Sequence, residues 1–224
     1  MALRSTTKRV ASALALIASI SLGISPDARA DGLTPDQSAR LARGESLVFP
    51  QTWESNDGAR YIGGVTYTIV DASASELAAI FEDVGAYRRL LPRTKQARRA
   101  GTDGTDFFIE LLQGNSVFET QYTLRVRPIA SVAGGGREFR FWLDRASPHG
   151  IEDAWGYFRC TPVASATGAP RTLLTYAAVV DVGPGIVREL FEERLRGAML
   201  SVPHLLRRYV AELHQPRAAA RPRL

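Results

Sequence analysis

The stretch VTYTIVDASASELAAIFEDVGAYRRLLP, Val65 to Pro92, contains the change of pattern that decides the fold. Its first part alternates apolar and polar side chains, which is the period of a half-buried strand. Ser73 follows, and Glu76 stands three residues later, as in a helix capping box. From about Ser75 to Val84 the apolar residues share one helical face. The stretch therefore predicts a strand, a short helix, and a second short helix that ends at the final proline.

The segment at the start of the chain predicts an export signal. Basic residues precede the apolar run VASALALIASISLGI, and SPDARA follows it in the form of a small-residue cleavage site. The apolar run is shorter than the roughly 20 residues that a membrane-spanning helix needs. We expect cleavage after Ala30 and a periplasmic or extracellular location, with an uncleaved anchor as the alternative.

We divide the chain into a signal peptide (1–30), an N-terminal lead-in segment (31–58), one domain (59–214) and a basic disordered tail (215–224). Removing the signal takes away four basic residues and one acidic residue, so the formal charge of +5 becomes +2. Charges of both signs are interspersed along the rest, which gives no support for nucleic-acid binding. The sequence makes no prediction of the oligomeric state.

Residues 98–181 have the pattern of successive strands. Alternating runs such as FETQYTLRVRP and REFRFWLDR are separated by turn residues, among them Gly134 to Gly136, which predicts an antiparallel meander. One long helix follows from about Ile186 to Leu213, because apolar residues recur at spacings of three and four. Pro203 removes one backbone donor, so we expect a bend near the middle of that helix.

This order of elements resembles the START-like, or SRPBCC, superfamily, which includes lipid-transfer domains, coenzyme Q-binding proteins and polyketide cyclases. The resemblance covers about Tyr61 to Leu213 and rests on the quoted stretch, on TLLTY and on VPHLLRRYV. It implies an α+β helix-grip fold, with two short helices after the first strand. A curved antiparallel sheet of about six to seven strands would wrap around the long C-terminal helix and leave an apolar cavity. One departure is visible, since the family often has an aromatic residue, commonly tryptophan, in the first helix, and here Ile80 and Phe81 occupy that zone.

The resemblance implies a carrier or sensor that binds a hydrophobic or amphipathic small molecule, such as a lipid, a quinone or a polyketide-like compound. Small residues at Gly197, Ala198 and Ser201 suit either a ligand or close helix packing. Two alternatives stay open. One is a polyketide cyclase or aromatase-like enzyme that uses the same cavity, and the other is a structural envelope module whose own side chains fill it.

The residues expected to line the cavity share the inner face of a strand or helix. They are Tyr87, Leu91, Tyr122, Leu124, Phe139, Phe141, Tyr157, Tyr176, Phe191, Arg194, Ala198 and Val202. Arg194 is the most informative because it lies on an otherwise apolar helix face, where a charge must be paired or reach water. It could hold a ligand's carboxylate or phosphate, form a salt bridge to Glu110 or Glu119, or extend its stem toward solvent.

Other chemistry has weak support in the sequence. If the cavity is catalytic, the weak candidates for moving protons are Arg194, Tyr176 and Glu110. The only histidines, His149, His204 and His214, do not have a metal-binding spacing, and we predict neither a metal nor a cofactor. Cys160 is the only cysteine and lies in a strand-like run, which favours a small buried thiol.

The basic run after the second short helix is a candidate membrane contact. Arg88, Arg89 and Arg93 are expected to face water at the rim of the cavity. They could attract an anionic membrane surface, and a simple solvated basic face is the alternative.

Overall fold

In the computed structural model of the chain, the described residues are 32–56, 58–114, 116, 119–132, 135–165 and 167–215, with only the backbone described at 130–132 and 186–190. The predicted signal peptide (1–30) and residues 216–224 of the predicted tail lie outside this part. The contacts within the chain define two units, with the boundary between Ser38 and Ala39. The sheet and the cavity discussed below lie in the second unit, Ala39–Leu224.

The described residues form five α-helices and eight strands. In chain order these are α1 (Pro35–Ala42), β1 (Leu47–Glu54), β2 (Arg60–Val70), α2 (Ala74–Glu82), α3 (Tyr87–Leu90), β3 (Thr94–Asp103), β4 (Asp106–Gly114), β5 (Glu119–Val132), β6 (Gly136–Leu143), β7 (Asp153–Val163), β8 (Arg171–Asp181), α4 (Ile186–Leu200) and α5 (Val202–His214). A 3₁₀ turn, Val84–Ala86, joins α2 to α3.

The eight strands form one antiparallel sheet in the order β1-β2-β8-β7-β6-β5-β4-β3. The predicted α+β helix-grip architecture is confirmed, with eight strands instead of six or seven. The additional strand is β1, which lies inside the predicted lead-in segment 31–58 and pairs with β2. It lacks the alternation of a half-buried strand because every residue after Leu47 is exposed.

The quoted stretch forms β2, α2 and α3. Helix α2 begins after Ser73, whose Oγ accepts a hydrogen bond of 3.1 Å from the backbone N–H of Glu76. Its buried face places Phe81 against the sheet, with ring centroids 4.2 Å from Phe158 and 5.6 Å from Phe139. The short helix therefore covers the inner face of β6 and β7.

The predicted long helix is bent, and the bend divides it into α4 and α5 at Ser201. Pro203 is the second residue of α5, where a backbone N–H would have no partner within that helix. Hydrogen bonds continue across the bend, since Ser201 N donates to Gly197 O and Leu205 N donates to Ser201 O, both at 3.1 Å.

Helices α4 and α5 pack on the inner face of the sheet, where β2 contacts both of them. The hydroxyl of Thr66 on β2 donates to the carbonyl of Leu200 at 3.1 Å. The guanidinium of Arg60 binds Glu192 at 3.0 Å, which fixes the first half of α4 beside β2. Within the described part of the chain, no helix has both the length and the apolar character needed to cross a bilayer.

Candidate functional site

A cavity of about 490 Å³ lies between the inner face of the sheet and α4. Pockets that bind small molecules usually have volumes of about 300 to 1,000 Å³. Most of the wall is aliphatic or aromatic, and it comes from β4 to β8, from α4, and from the turn after α3. The side chains that the structure describes leave this space open, which argues against a structural module with a filled cavity.

The structure places eleven of the twelve predicted side chains in the cavity wall. These are Tyr87, Leu91, Tyr122, Leu124, Phe139, Phe141, Tyr176, Phe191, Arg194, Ala198 and Val202. Among the small residues of α4, Ala198 lines the cavity, whereas Gly197 is exposed to solvent.

The prediction for Tyr157 is wrong. The buried residues of β7 alternate as Ala154, Gly156, Phe158 and Cys160, so Tyr157 lies on the opposite face of the sheet. There the guanidinium carbon of Arg159 lies 5.2 Å from the centre of the Tyr157 ring. Its neighbour Phe158 takes the place in the cavity wall instead.

Three aromatic rings form a continuous part of the wall. The centroids of Phe158 and Tyr176 are 4.6 Å apart, and those of Phe141 and Phe158 are 5.7 Å apart. Gly156 makes this packing possible, because a Cβ at that position would lie 2.5 Å from Cζ of Phe141. The contacts hold Tyr176 in a fixed orientation.

A chain of hydrogen bonds links the wall to the turn after α3. The hydroxyl of Tyr122 donates to Oε1 of Gln113 at 2.5 Å. Nε2 of Gln113 donates to Oγ1 of Thr94 at 2.9 Å and to the carbonyl of Pro92 at 3.2 Å. Sequence reasoning missed Gln113, although it is in phase with Ile109 and Leu111 on the buried face of β4.

Two hydroxyl groups of the wall have no hydrogen-bond partner among the described residues. Tyr176 is only 4% exposed, and burial raises the pKa of its phenol well above the usual value, so the group stays neutral. Oγ1 of Thr120 is buried and also lacks a partner. Because buried polar atoms are almost always satisfied, both hydroxyls are positioned to bind a polar atom of a ligand.

The charged side chains of the described wall are both arginines, Arg93 and Arg194. The guanidinium carbon of Arg194 lies 5.9 Å from the ring centre of Phe191, and in the described part of the chain it forms no ion pair. Of the three alternatives for Arg194, the salt bridge to Glu110 or Glu119 is therefore excluded, and its exposed side chain agrees with the alternative of a stem that extends to solvent. Glu110 binds Arg98, and Glu119 binds Lys95, so both carboxylates are already paired.

The three weak catalytic candidates do not meet in one place. Arg194 and Tyr176 line the cavity, but Glu110 does not, because it is out of phase with the buried residues of β4. Its ion pair with Arg98 on β3 lowers its pKa, so the carboxylate is ionised. An enzyme mechanism that combines these three groups is rejected.

The part of the chain that the structure describes contains neither a metal-binding cluster nor a reactive thiol. No group of three or more histidine, cysteine, aspartate or glutamate side chains is placed to hold a metal ion among those residues. Nδ1 of His149 lies 2.8 Å from the carbonyl of Ile151, and Nε2 of His214 lies 2.6 Å from Glu76. Cys160 is buried, which raises the pKa of its thiol to about 12, so it is not a thiolate at neutral pH.

Comparisons with known proteins identify the fold. No protein-family model matches the chain, and no curated protein matches it. Among solved structures, a STAR-related lipid transfer protein fragment from Xanthomonas axonopodis has a TM-score of 0.55 at 13% identity, over 72% of this chain and 98% of that one. Human StAR-related lipid transfer protein 5 has a TM-score of 0.56 at 10% identity, over 80% and 94% of the two chains. A START superfamily protein from Mycobacterium smegmatis has a TM-score of 0.51 at 18% identity, over 66% and 97%.

The chain therefore has the helix-grip fold of START-like proteins, as its sequence resemblance implied. The structural similarity establishes the fold. At sequence identities this low it does not identify the ligand, which must be argued from the cavity.

Proposed function

We propose that this protein is an exported carrier or sensor that binds a hydrophobic or amphipathic small molecule between its sheet and α4. The observation that carries the proposal is the open cavity of about 490 Å³ with its mainly apolar wall. Transfer of apolar surface from water into such a wall is favourable. The unpaired hydroxyls of Tyr176 and Thr120 add the few polar contacts that orient a ligand in sites of this kind.

The fold comparisons support the same class of ligand. Two of the similar structures carry lipid transfer in their names, and they share this fold at low identity. A lipid, a quinone and a polyketide-like compound all combine an apolar body with few polar atoms, so each is compatible with the wall.

Organic extraction of the purified protein followed by mass spectrometry tests the proposal directly. We expect a co-purified apolar compound, and saturable uptake of a fluorescent fatty-acid analogue by extracted protein. The variant Ala198→Phe places a large ring in the cavity and should reduce uptake at least tenfold. The matched control Gly197→Phe adds the same ring on the exposed side of α4 and should leave uptake unchanged. Protein that contains no ligand and takes up no analogue would overturn the proposal.

Export forms the second part of the proposal. The basic start, the apolar run and the SPDARA site support removal of residues 1–30. Expression of the full chain with a C-terminal tag in a Gram-negative host should give a periplasmic protein that begins at Asp31. The variant Ala30→Arg should block cleavage and keep the protein in the membrane fraction. A wild-type protein recovered whole from the cytoplasm would contradict this part.

We also propose weak contact with anionic membranes through Arg88, Arg89 and Arg93. All three are exposed, and Arg93 also lines the cavity, so the basic surface adjoins the ligand site. The double variant Arg88→Glu/Arg89→Glu should lose binding to phosphatidylglycerol vesicles while it keeps ligand uptake. The control Arg137→Glu/Arg208→Glu makes the same charge change at exposed residues elsewhere. Equal vesicle binding by both double variants would reject the contact.

A cyclase-like reaction in the same cavity is the second candidate function. The observation that favours it is the unpaired phenol of Tyr176, which stays neutral and could donate a hydrogen bond to a bound ketone oxygen. Incubation with a linear poly-β-ketone thioester and analysis by mass spectrometry should then show a cyclised product that Tyr176→Phe no longer forms. If the wild type only binds the thioester, or if the variant gives as much product, this second function is excluded.

A further inference from the structure

We propose that the ligand is an anionic amphiphile whose carboxylate or phosphate is bound by Arg194 and Arg93, while its apolar part occupies the rest of the cavity. This inference rests on the proposed binding function and names the class of ligand. The main observation behind it is that the charged side chains of the described cavity wall are positive.

The described wall contains no aspartate or glutamate, and its two charged side chains are both positive. A concave, mainly apolar surface with charge of one sign concentrates the field and attracts the opposite charge. Both arginines are exposed, so water solvates them when no ligand is bound, and an anionic ligand would replace this water with a partner of opposite charge. An anionic group provides that partner through charge-assisted, forked hydrogen bonds with a guanidinium.

The carboxylates of α4 whose side chains are described are paired with other arginines. Glu192 binds Arg60 and Arg196, and Glu193 also binds Arg196. Both arginines therefore have partners on α4, whereas Arg194 stands beside Phe191 without an ion pair in the described residues. Among the side chains of α4 that the structure describes, Arg194 is thus the cation that lines the cavity without an ion pair.

Arg93 and Arg194 lie toward the same end of the sheet. Since all neighbouring strands are antiparallel, β3 begins at the end where β8 finishes. Arg93 immediately precedes β3, and α4 starts shortly after β8, so its first turns lie at that end. The backbone carbonyl of Arg93 accepts a 3.0 Å hydrogen bond from Gly114 N, which holds the turn against the end of β4.

An unpaired hydroxyl lies at this end as well. Thr120 is near the start of β5, and its buried Oγ1 has no partner in the described part of the chain. Both guanidinium groups and this hydroxyl can donate hydrogen bonds, and an anionic oxygen accepts them. The apolar part of the ligand would extend from here along Phe158 and Val202, which also line the cavity.

Binding of matched lipid pairs tests the inference. Oleate and methyl oleate share a tail and differ in charge, and lysophosphatidic acid differs from lysophosphatidylcholine by the choline that neutralises its head. Displacement of a neutral fluorescent fatty-alcohol probe measures all four on one scale. We expect the wild type to bind the two anionic lipids at least tenfold more tightly than their neutral partners, since a hydrogen bond to a charged group contributes about one decade or more. The better of the two anions identifies the acidic group.

The variant Arg194→Gln should reduce the preference for the anion about tenfold or more and leave methyl oleate affinity unchanged. Arg93→Gln should act in the same direction, and the exposed control Arg208→Gln should have no effect. Equal affinity for oleate and methyl oleate, or a preference that Arg194→Gln does not alter, would overturn the inference while the binding function stands. Failure of the protein to bind any of the lipids or the probe would instead overturn the proposed function.

Discussion

Gly156 and Gly197 show how the surroundings of a single residue decide its tolerance to change. A Cβ at Gly156 would lie 2.2 Å from the carbonyl oxygen of Ala177 and 2.5 Å from the ring of Phe141. A Cβ at Gly197 would meet no atom within 4 Å. The first glycine is required for packing on the cavity wall, and the second only lowers the stability of a helix.

We predict opposite effects of alanine at these two sites. Gly156→Ala should lower the free energy of unfolding by roughly 2 kcal/mol or more, because a core overfilled by one methyl group is strained. Gly197→Ala should raise it by about 0.5 to 1 kcal/mol, because alanine has the higher helix propensity. Urea unfolding followed by circular dichroism measures both changes. A stabilised Gly156→Ala protein would show that β7 and β8 do not approach as closely as described.

For single residues, the sequence pattern correctly predicted which of them face the cavity in most cases. It failed where either of two neighbouring residues could have faced inward. Tyr157 and Phe158 are adjacent aromatic residues, so either could have faced inward, and packing against Phe81 selects Phe158. The unpaired state of Arg194 could not be predicted either. It depends on which carboxylates Arg98 and Lys95 bind across the sheet.

Among the elements, β1 is an edge strand with little burial of its own. Val48, Phe49 and Trp53 are exposed, and a free edge of this kind invites pairing with another chain. Pro50 lies in the middle of β1 and lacks the N–H that such a pairing would need. The proline therefore protects the edge.

Replacement of that proline should increase self-association. Pro50→Val restores a backbone donor at the edge and adds a β-branched side chain, so we expect concentration-dependent dimers or larger species in size-exclusion chromatography with light scattering. Gln51→Val is the control, since it adds the same side chain at the next position and retains the proline. If both variants remain as monodisperse as the wild type, edge protection by Pro50 is wrong.

Most helices and strands could be predicted from the sequence because burial of one face sets the spacing of their apolar residues. Helix α2 buries its apolar face, as its spacing predicts. Strand β2 alternates as predicted, but its buried side is the one with Thr66 and Thr68, and the apolar residues between them are half-buried. Strand β1 was not predicted because it is held by pairing with β2 and not by a buried face. The bend was predicted at Pro203, but it lies two residues earlier, at Ser201. Pro203 is accommodated in the first turn of α5.

At the scale of the whole molecule, ion pairs on the outer face of the sheet make the free energy of unfolding depend on pH. Asp106 is 2% exposed and accepts hydrogen bonds from Arg127 at 2.7 Å and from Arg125 at 2.5 Å. The bonds from Arg127, and then those from Arg125, lower the pKa of Asp106 to about 2 against the opposing effect of burial. An unfolded aspartate has a pKa of about 3.9, so this stabilisation is complete above that value and is lost as the pH falls from about 4 to about 2.

Asp106→Asn should therefore be less stable than the wild type by roughly 2 kcal/mol at pH 7, because charge-assisted hydrogen bonds to two arginines are lost. The difference should shrink on acidification from about pH 4 to about pH 2. Thermal unfolding over this range measures it. Asp103→Asn is the control within the same cluster, since its side chain is 63% exposed and should contribute little. A difference between Asp106→Asn and wild type that is independent of pH would contradict the assignment.

The division of the C-terminal helix at Ser201 has a consequence for the speed of ligand exchange. Helix α5 is anchored by Leu206 and Val210, which are buried in the core, so it cannot leave the sheet without unfolding. In the described part of α4, contacts with the sheet include the ion pair of Glu192 with Arg60 and a hydrogen bond from Arg196 to Thr52. Salt weakens contacts of this kind far more than it weakens a buried core. The end of α4 at Leu200 is buried, so this effect belongs to the part of the helix around Glu192 and Arg196. The off-rate of a neutral lipid should therefore rise with ionic strength in stopped-flow experiments while the unfolding temperature changes little.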